Sequence, residues 1–463
     1  MTEVDLIREF AAALTKGAGC LFVGSGVSAG SGLPDWRGAL ADLTKSRLSI
    51  DLSKTDNYPL IAQFLVNDAS GNRGPLIKSL RDIFHRSLHQ NDNHKAISLM
   101  NLKTIWTTNY DTMLEDVFAG SHITVRHTDD NVTWTVPSAD IEIIKAHGCI
   151  DRSCHDDIVI SLEDYEDYHA KRPATVQRLQ HDLISNSFLF IGYSFSDPDI
   201  ASVLTTVRRL KSTATQTHYM IKTRDMEADS RTSLWHKDLQ RIGIQVVEIA
   251  SHDKLPRILI NIAKKSVGRT VYFTGSHKNQ SDTTHDFCEA VGKGVAEIYK
   301  DSRGQVLEAP IVMDGQSTGL SRSIIMAFTS RLIHHRLDIR RHIDVYTNPY
   351  SLNPQLSDDS SLLPQLERLR APLMKRTQVV VAFDGGIGTD AEVRLARAYK
   401  CHILPVPRLS GGSASKLLQD SGISSHLMTI CPRYLNKARR RRLKPDDVAE
   451  AVGSMLASQV EAI

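Results

Sequence analysis

Gly24-Ser25-Gly26-Val27-Ser28-Ala29-Gly30-Ser31-Gly32-Leu33-Pro34-Asp35-Trp36-Arg37 decides how the first half of this chain is read. It follows the apolar run Cys20-Leu21-Phe22-Val23, which reads as a buried strand. Gly24 and Gly26 let the chain turn tightly and bring backbone N–H groups toward an anionic ligand. The helix after the turn then points its N-terminus at a pyrophosphate. A bare G-x-G after an apolar run is common, so by itself it is a loose dinucleotide fingerprint.

Outward from this loop the sequence alternates strands and helices. Apolar spacing predicts helices over 6–14, 40–48, 58–66 and 76–84. Strands are expected at Thr104–Thr107, Ile141–Ile144, Phe188–Ile191, His218–Ile221 and Ile244–Ile249. The first of these delivers Asn109 within Thr107-Thr108-Asn109-Tyr110-Asp111, and the second delivers His147-Gly148. The third runs into Gly192-Tyr193-Ser194-Phe195-Ser196-Asp197. Each candidate falls just past the C-terminal end of a strand, where open parallel sheets bind ligands. Taken singly, an Asn after a strand is more often a helix cap and a lone His a surface or core residue. Taken with the glycine–serine loop, and in this order, the functional reading prevails. Ser196 and Asp197 read equally as caps of a helix from Pro198 and as ligand contacts.

A break at Ser266-Val267-Gly268-Arg269 divides the chain into domains 1–267 and 268–463. The second domain opens with a strand at Thr270–Phe273 and the turn Thr274-Gly275-Ser276. A helix over 287–299, a strand at Ile343–Tyr346, an exposed mobile loop over 351–361 and a helix over 362–374 follow. The apolar strand Gln378–Phe383 ends in Asp384-Gly385-Gly386-Ile387-Gly388-Thr389-Asp390-Ala391-Glu392, and a helix continues over 393–399. Glycines here let phosphates approach the backbone, and Thr389 and the helix start supply donors. Glu392 can accept hydrogen bonds from ribose hydroxyls, and Gly275 and Ser276 form the opposing loop. A tight turn with a capping threonine would explain a bare G-G-x-G; the added T-x-x-E tips the reading to nucleotide binding. The fold class is therefore α/β: a Rossmann-type parallel sheet with a helical module, then a second Rossmann-like domain.

The string G-x-G-x-S-x-x-S-G-L-P-D-x-R resembles the nucleotide loop of the sirtuins, which bind NAD and cleave its nicotinamide–ribose bond. Thr107 to Asp111 looks like their T-x-N-x-D motif, and His147-Gly148 like their catalytic histidine and its glycine. The resemblance implies catalytic roles for Asn109 and His147. Asn109 supplies an amide donor and acceptor to ribose hydroxyls and water, and His147 is the general base. It implies NAD contacts from Gly24, Ser25, Gly26, Ser28, Asp35, Arg37, Asp111, Gly192 and Ser194. Asp111 orients a helix start or the ribose; Asp35 and Arg37 meet the nicotinamide end or close a flap. Deacylating sirtuins carry a zinc module with two cysteine pairs, and Cys149 and Cys154 have no second pair at that spacing. Gly192 to Asp197 looks like the equivalent string of sirtuin-like bacterial NADases. The implied acceptor is therefore water, with NAD as substrate and no metal. A protein deacylase or ADP-ribosyltransferase is the alternative, and a non-catalytic nucleotide-binding scaffold a third.

Gly385-Gly386-Ile387-Gly388-Thr389-x-x-Glu392 is similar to the signature of the SLOG superfamily. A sirtuin-like domain followed by a SLOG domain resembles the NADase effector family of the bacterial anti-phage Thoeris system. That resemblance implies a cyclic ADP-ribose-type signal, made by a TIR-domain partner, which binds the SLOG domain and activates NAD cleavage. It also implies a homo-oligomer, tetramer or larger. Signal contacts would come from Gly275, Ser276, Arg370, Arg376, Gly385, Gly386, Gly388, Thr389 and Glu392. Arg368, Arg370, Lys375 and Arg376 read equally as phosphate ligands and as the exposed basic face of a helix.

Composition narrows the partners. A chain of 463 residues exceeds one ordinary domain, and 41% hydrophobic with 24% charged residues is a globular balance. No apolar stretch is long enough to span a membrane, and Met1-Thr2-Glu3-Val4-Asp5 lacks the basic start of a signal peptide. Six scattered cysteines suit a reducing cytoplasm. A net charge of +3 gives nucleic-acid binding little support. The run Lys437 to Lys444, with Arg439 to Arg442, reads as a solvated helix start or loop rather than a phosphate patch.

Overall fold

The computed structural model describes residues 1–52, 55, 57–84, 89–119, 121–134, 140–195, 198–210, 216–224, 230–275, 282–316, 319–348, 363–407 and 412–458. Ser196, Asp197, Ser276 and the loop over 351–361 lie outside these described residues. The chain forms two compact units, Met1–Ser266 and Val267–Ile463.

The first unit is built on seven strands: β1 (Gly19–Val23), β2 (Thr104–Thr107), β3 (Ile123–Arg126), β4 (Ile141–Lys145), β5 (Ser187–Ile191), β6 (His218–Thr223) and β7 (Ile244–Ile249). All pairings are parallel, in the order β3-β4-β2-β1-β5-β6-β7. β1 and β5 are buried at every position, as strands covered on both faces must be. The connection after β1 leads to one side of the sheet and that after β5 to the other. Their C-terminal ends therefore flank the switch point, where a crevice opens.

Among the described residues, seven α-helices of this unit precede β3. α1 (Glu3–Thr15) starts in a capping box between Thr2 and Asp5 and buries Leu6, Phe10 and Leu14, one per turn. The others are α2 (Gly26–Ala29), α3 (Trp36–Arg47), α4 (Tyr58–Asp68), α5 (Gly74–Phe84), α6 (Asp92–Leu99) and α7 (Met113–Val117). Asp35 caps α3 and Asn57 caps α4, each side chain accepting from a first-turn N–H. α3 to α5 form a helical module whose own core joins Leu40, Leu65, Ile77 and Leu80 to Ile150 and Ile160.

An ion pair anchors the module. Arg73, just before α5, donates to Asp164 Oδ2 at 3.0 Å and to the Ile158 carbonyl at 2.6 Å. Burial favours the neutral acid, but the Arg73 bond and the N–H groups of Ile160 and Ser161 outweigh it. They hold the Asp164 carboxyl below its ordinary 3.8. A depressed folded-state value adds stability above the unfolded value, lost as pH falls through the folded one. The stability difference between wild type and Asp164→Asn is thus expected to be constant near neutrality and to close in acid. Tryptophan fluorescence reads it cleanly, because all four tryptophans lie in the first unit. A difference that persists unchanged far below 3.8 would contradict this assignment.

The second unit has β8 (Thr270–Thr274), the antiparallel pair β9 (Tyr299–Lys300) and β10 (Val306–Glu308), β11 (Ile311–Asp314), β12 (Ile343–Val345), β13 (Val379–Phe383) and β14 (His402–Val406). Its five-stranded parallel sheet runs β12-β11-β8-β13-β14, with the switch point between β8 and β13. β14 contains Pro405, which an edge strand tolerates. Three expectations shift. The helix placed over 287–299 spans Asp282–Ala296, since Tyr299 pairs in β9. The helix placed over 393–399 begins at Ile387, because the chain coils directly after Gly386. The arginines 439–442 are exposed at the end of a helix, Pro432–Arg439, and in the turn beyond it, not at a helix start.

Among the described residues no helix is long and apolar enough to cross a membrane, and no group of three or more His, Cys, Asp or Glu is placed to hold a metal ion.

Candidate active site

A cleft opens at the C-terminal ends of the central strands of the first unit. Its floor is Ser25, Ser28, Asn109, Asp111, His147, Gly192 and Ser194; α3, α4 and α5 contribute Trp36, Tyr58, Leu80 and Phe84 to the opposite wall. Such a mixed polar and aromatic lining suits a ligand with a planar ring and hydroxyls.

The glycine loop works differently from its first reading. Gly24 N–H bonds to the Ile191 carbonyl at 2.9 Å and Gly26 N–H to that of Gly192 at 3.0 Å. The N–H groups of Val27, Ser28 and Ala29 close turns onto Gly24 and Ser25 carbonyls. These donors are therefore not offered to a pyrophosphate. Gly24 and Gly26 do not line the cleft. A Cβ on Gly24 would run into the Gly192 carbonyl, and one on Gly26 would lie 2.9 Å from Gly192 Cα. Gly192 itself has φ +60° and is packed against Val27 N. The three glycines let two loops touch across the switch point. What the loop offers the cleft is the hydroxyls of Ser25 and Ser28.

Asn109 follows β2 and is 7% exposed. Its Nδ2 donates to the Gly24 carbonyl and to Ser28 Oγ, both at 3.3 Å. Its Oδ1 is buried and has no hydrogen-bond partner among the described residues. Asn109 thus keeps an acceptor for a ligand but not the donor also expected of it, because both Nδ2 hydrogens are engaged. Asp111 accepts from Ser28 Oγ at 3.0 Å and from Met113 N at 3.1 Å, so it holds the start of α7. Under it, Lys145 donates to the Asp111 carbonyl and pairs with Glu115 at 3.1 Å, the two side chains 1% and 5% exposed. Burial works against the Lys145 ammonium, but Glu115, with smaller help from Cys149 and Asp111, keeps its proton more tightly held than usual.

His147 follows β4 and is buried between two tyrosine edges, Tyr165 at 5.5 Å and Tyr168 at 6.0 Å. Gly148 beyond it has φ +88°, and a Cβ there would meet the Asp157 carbonyl at 2.6 Å. Asp35 lines the cleft while capping α3, but Arg37 is exposed and is not part of the lining. The aromatic wall was not identified from sequence. Trp36 stacks on Tyr58 at 6.4 Å, and Phe84 meets Tyr110 edge-on at 5.7 Å. The available signal was Trp36 within the glycine–serine loop and an aromatic, Tyr58 or Phe84, at an end of each of two predicted helices after it.

In the second unit Gly275 follows β8 and abuts Phe383, the last residue of β13. Gly385 N–H bonds to Ser413 Oγ at 2.9 Å, and Thr389 is buried. Gly386 and Gly388 are exposed, with open space where a Cβ would project. Glu392 already accepts from Tyr272 at 2.7 Å and from Thr274, and lies 3.3 Å from Arg370 Nε. Arg370 is 2% exposed and donates to the Gly315 carbonyl at 2.7 Å. It therefore belongs to a buried cluster, not to an exposed basic face. Arg376 is exposed and pairs with Asp344 at 3.2 Å, and Arg368 is exposed.

A SIR2-like domain family matches residues 103–242. That range holds Asn109, Asp111, His147, Gly192 and Ser194. The chain is similar to NAD(+) hydrolase ThsA of Enterococcus faecium, 27% identical over 362 residues that cover 74% of this chain and 73% of that protein. It is 27% identical to NAD(+) hydrolase ThsA of Acinetobacter baumannii over 79% of this chain and 76% of that protein. With NAD(+) hydrolase ThsA of Bacillus cereus it shares 27% identity over 60% of this chain and 61% of that protein.

Proposed function

We propose that this chain is an NAD+ glycohydrolase that releases nicotinamide and leaves ADP-ribose. The carrying observation is the convergence of Asn109 and His147, from the loops after β2 and β4, on one cleft with Ser25 and Ser28. The names of its relatives support the same reaction. The C1″–N bond breaks with its electron pair leaving on nicotinamide, and the ribose carries oxocarbenium-like charge. Asn109 Oδ1 accepts from the attacking water or a ribose hydroxyl. His147 takes the proton as the new C1″–O bond forms. The aromatic wall covers the leaving ring and keeps bulk water out. The test is to follow nicotinamide release from NAD without any peptide. An absolute need for acetyl-lysine would move the reading to a deacylase.

The second unit is, on this reading, a SLOG-type sensor for a cyclic ADP-ribose-type nucleotide supplied by a TIR-domain partner. Binding raises NAD cleavage in a cytoplasmic homo-oligomer that acts in anti-phage defence. The open space beside Gly386, the N-cap of the helix Ile387–Ala398, and beside Gly388 in its first turn supports it. Glu392 and Arg370 are joined in a buried cluster with Tyr272, Thr274 and the Gly315 carbonyl, so removing either tests folding as well as binding. Gly388→Val is the cleaner probe, because its side chain enters empty space. It is expected to abolish activation by ADP-ribose-derived nucleotides while the KM for NAD stays unchanged. Titrating such nucleotides against nicotinamide release checks this, and unchanged activation would place sensing elsewhere.

A further inference from the structure

His94 belongs to no motif read from the sequence, yet it is completely buried behind the cleft. Its Nε2 lies 3.5 Å from Ser28 Oγ, and its Nδ1 lies 3.1 Å from Asn91 Oδ1. The surrounding bonds fix who donates. Asn91 Nδ2 donates to the Val27 carbonyl at 2.7 Å, and Asn91 Oδ1 accepts from the N–H groups of Asn93 and His94 at 2.9 and 3.3 Å. The atom facing Nδ1 is therefore an acceptor, and Nδ1 carries the ring proton. Burial holds the imidazole neutral, with its titration below the ordinary 6.5 although Asp111 pulls the other way. Nε2 then presents a lone pair to Ser28. The single Ser28 proton has two acceptors, Asp111 Oδ2 at 3.0 Å and His94 Nε2 at 3.5 Å. In either direction the Ser28 lone pairs remain turned to Asn109 Nδ2.

We propose that His94, seated by Asn91, is a positioning residue for NAD cleavage: it fixes the Ser28 hydroxyl that receives Asn109 Nδ2, and thereby leaves Asn109 Oδ1 as the acceptor of the site. The proposal rests on the hydrolase reading. The N-cap of α6 holds the glycine loop directly, through Asn91 on the Val27 carbonyl, and its first turn seats His94 against Ser28. A loop that slips here moves Asn109, and misplacement of a reacting group by about 1 Å can reduce a rate by about 10²-fold.

The experiment uses the full chain with NAD and a panel of ADP-ribose-derived nucleotides, reading kcat and KM from nicotinamide release. His94→Leu is expected to lower kcat by about 10- to 100-fold with KM within about threefold. His94→Gln, which restores a polar group where Nε2 lies, is expected to recover most of kcat; His94→Asn, which restores only the Nδ1 side, is not. In a Ser28→Ala background His94→Leu should add no further loss, because the residue acts through Ser28. Equal rates for all His94 variants and wild type would overturn the proposal. So would losses that multiply in the Ser28→Ala background, the signature of a merely structural role. If His94→Leu does not fold, the Gln and Asn pair decides, and equal kcat in the two overturns it. No nicotinamide release by wild type under any of these conditions would instead overturn the hydrolase reading, and this proposal with it.

Discussion

Asn109→Ala and His147→Ala are each expected to lower nicotinamide release by about 10²–10⁴-fold, the range for loss of a positioned acid–base or orienting group. Asn109→Ala removes the only acceptor the residue keeps, while leaving Ser28 Oγ and the Gly24 carbonyl without their Nδ2 donor. His147→Ala removes the base from between Tyr165 and Tyr168. Both variants should retain the wild-type unfolding free energy in urea within about 2 kcal/mol, since each loss is one side chain's bonds or contacts. Rates within a few-fold of wild type in both variants, at equal folded fraction, would remove the catalytic assignment.

Lys145→Met is expected to be the most destabilising single change near the site. It leaves Glu115, 5% exposed, as a buried carboxylate without its ammonium, and one-sided removal of such a pair costs about 3–5 kcal/mol. The double variant Lys145→Met/Glu115→Leu should regain most of that stability, because no unpaired charge remains. It should not regain activity, because the Asp111 carbonyl still lacks the Lys145 donor and the Asp111–Ser28–Asn109 chain loses its base. Urea unfolding followed by tryptophan fluorescence reports the first unit alone, and nicotinamide release reports the site. Stability and activity that recover together in the double variant would contradict this separation.

The strand ends carrying Asn109 and His147 were legible because the four-residue stretches Thr104–Thr107 and Ile141–Ile144 are rich in β-branched and aromatic residues. The same logic placed β8 and β13 and the loops that meet at the second switch point. Other features were hidden for physical reasons. β3 is a short edge strand, Ile123-Thr124-Val125-Arg126, whose arginine is buried because Glu142 meets it at 2.9 Å and the carbonyls of Asn131 and Trp134 accept from it. The burial of Arg370 depends on Glu392 and the Gly315 carbonyl, brought in from distant segments. The glycines at 24, 26 and 192 signal close approach, but sequence alone did not tell approach to a ligand from approach of one loop to another. His94 lay silent because its partners, Ser28 and Asn91, come together only in the folded chain.

NAD turnover in ¹⁸O-labelled water, with the products weighed by mass spectrometry, tests water as the acceptor most directly. One nicotinamide is expected per ADP-ribose formed, with a single ¹⁸O at the C1″ carbon at the earliest time points, ahead of ring-opening exchange of that hydroxyl with solvent, and no requirement for an acylated peptide. ADP-ribose without the label, or recovered attached to a protein side chain or to an acyl group, would contradict water as the acceptor and the hydrolase reading with it.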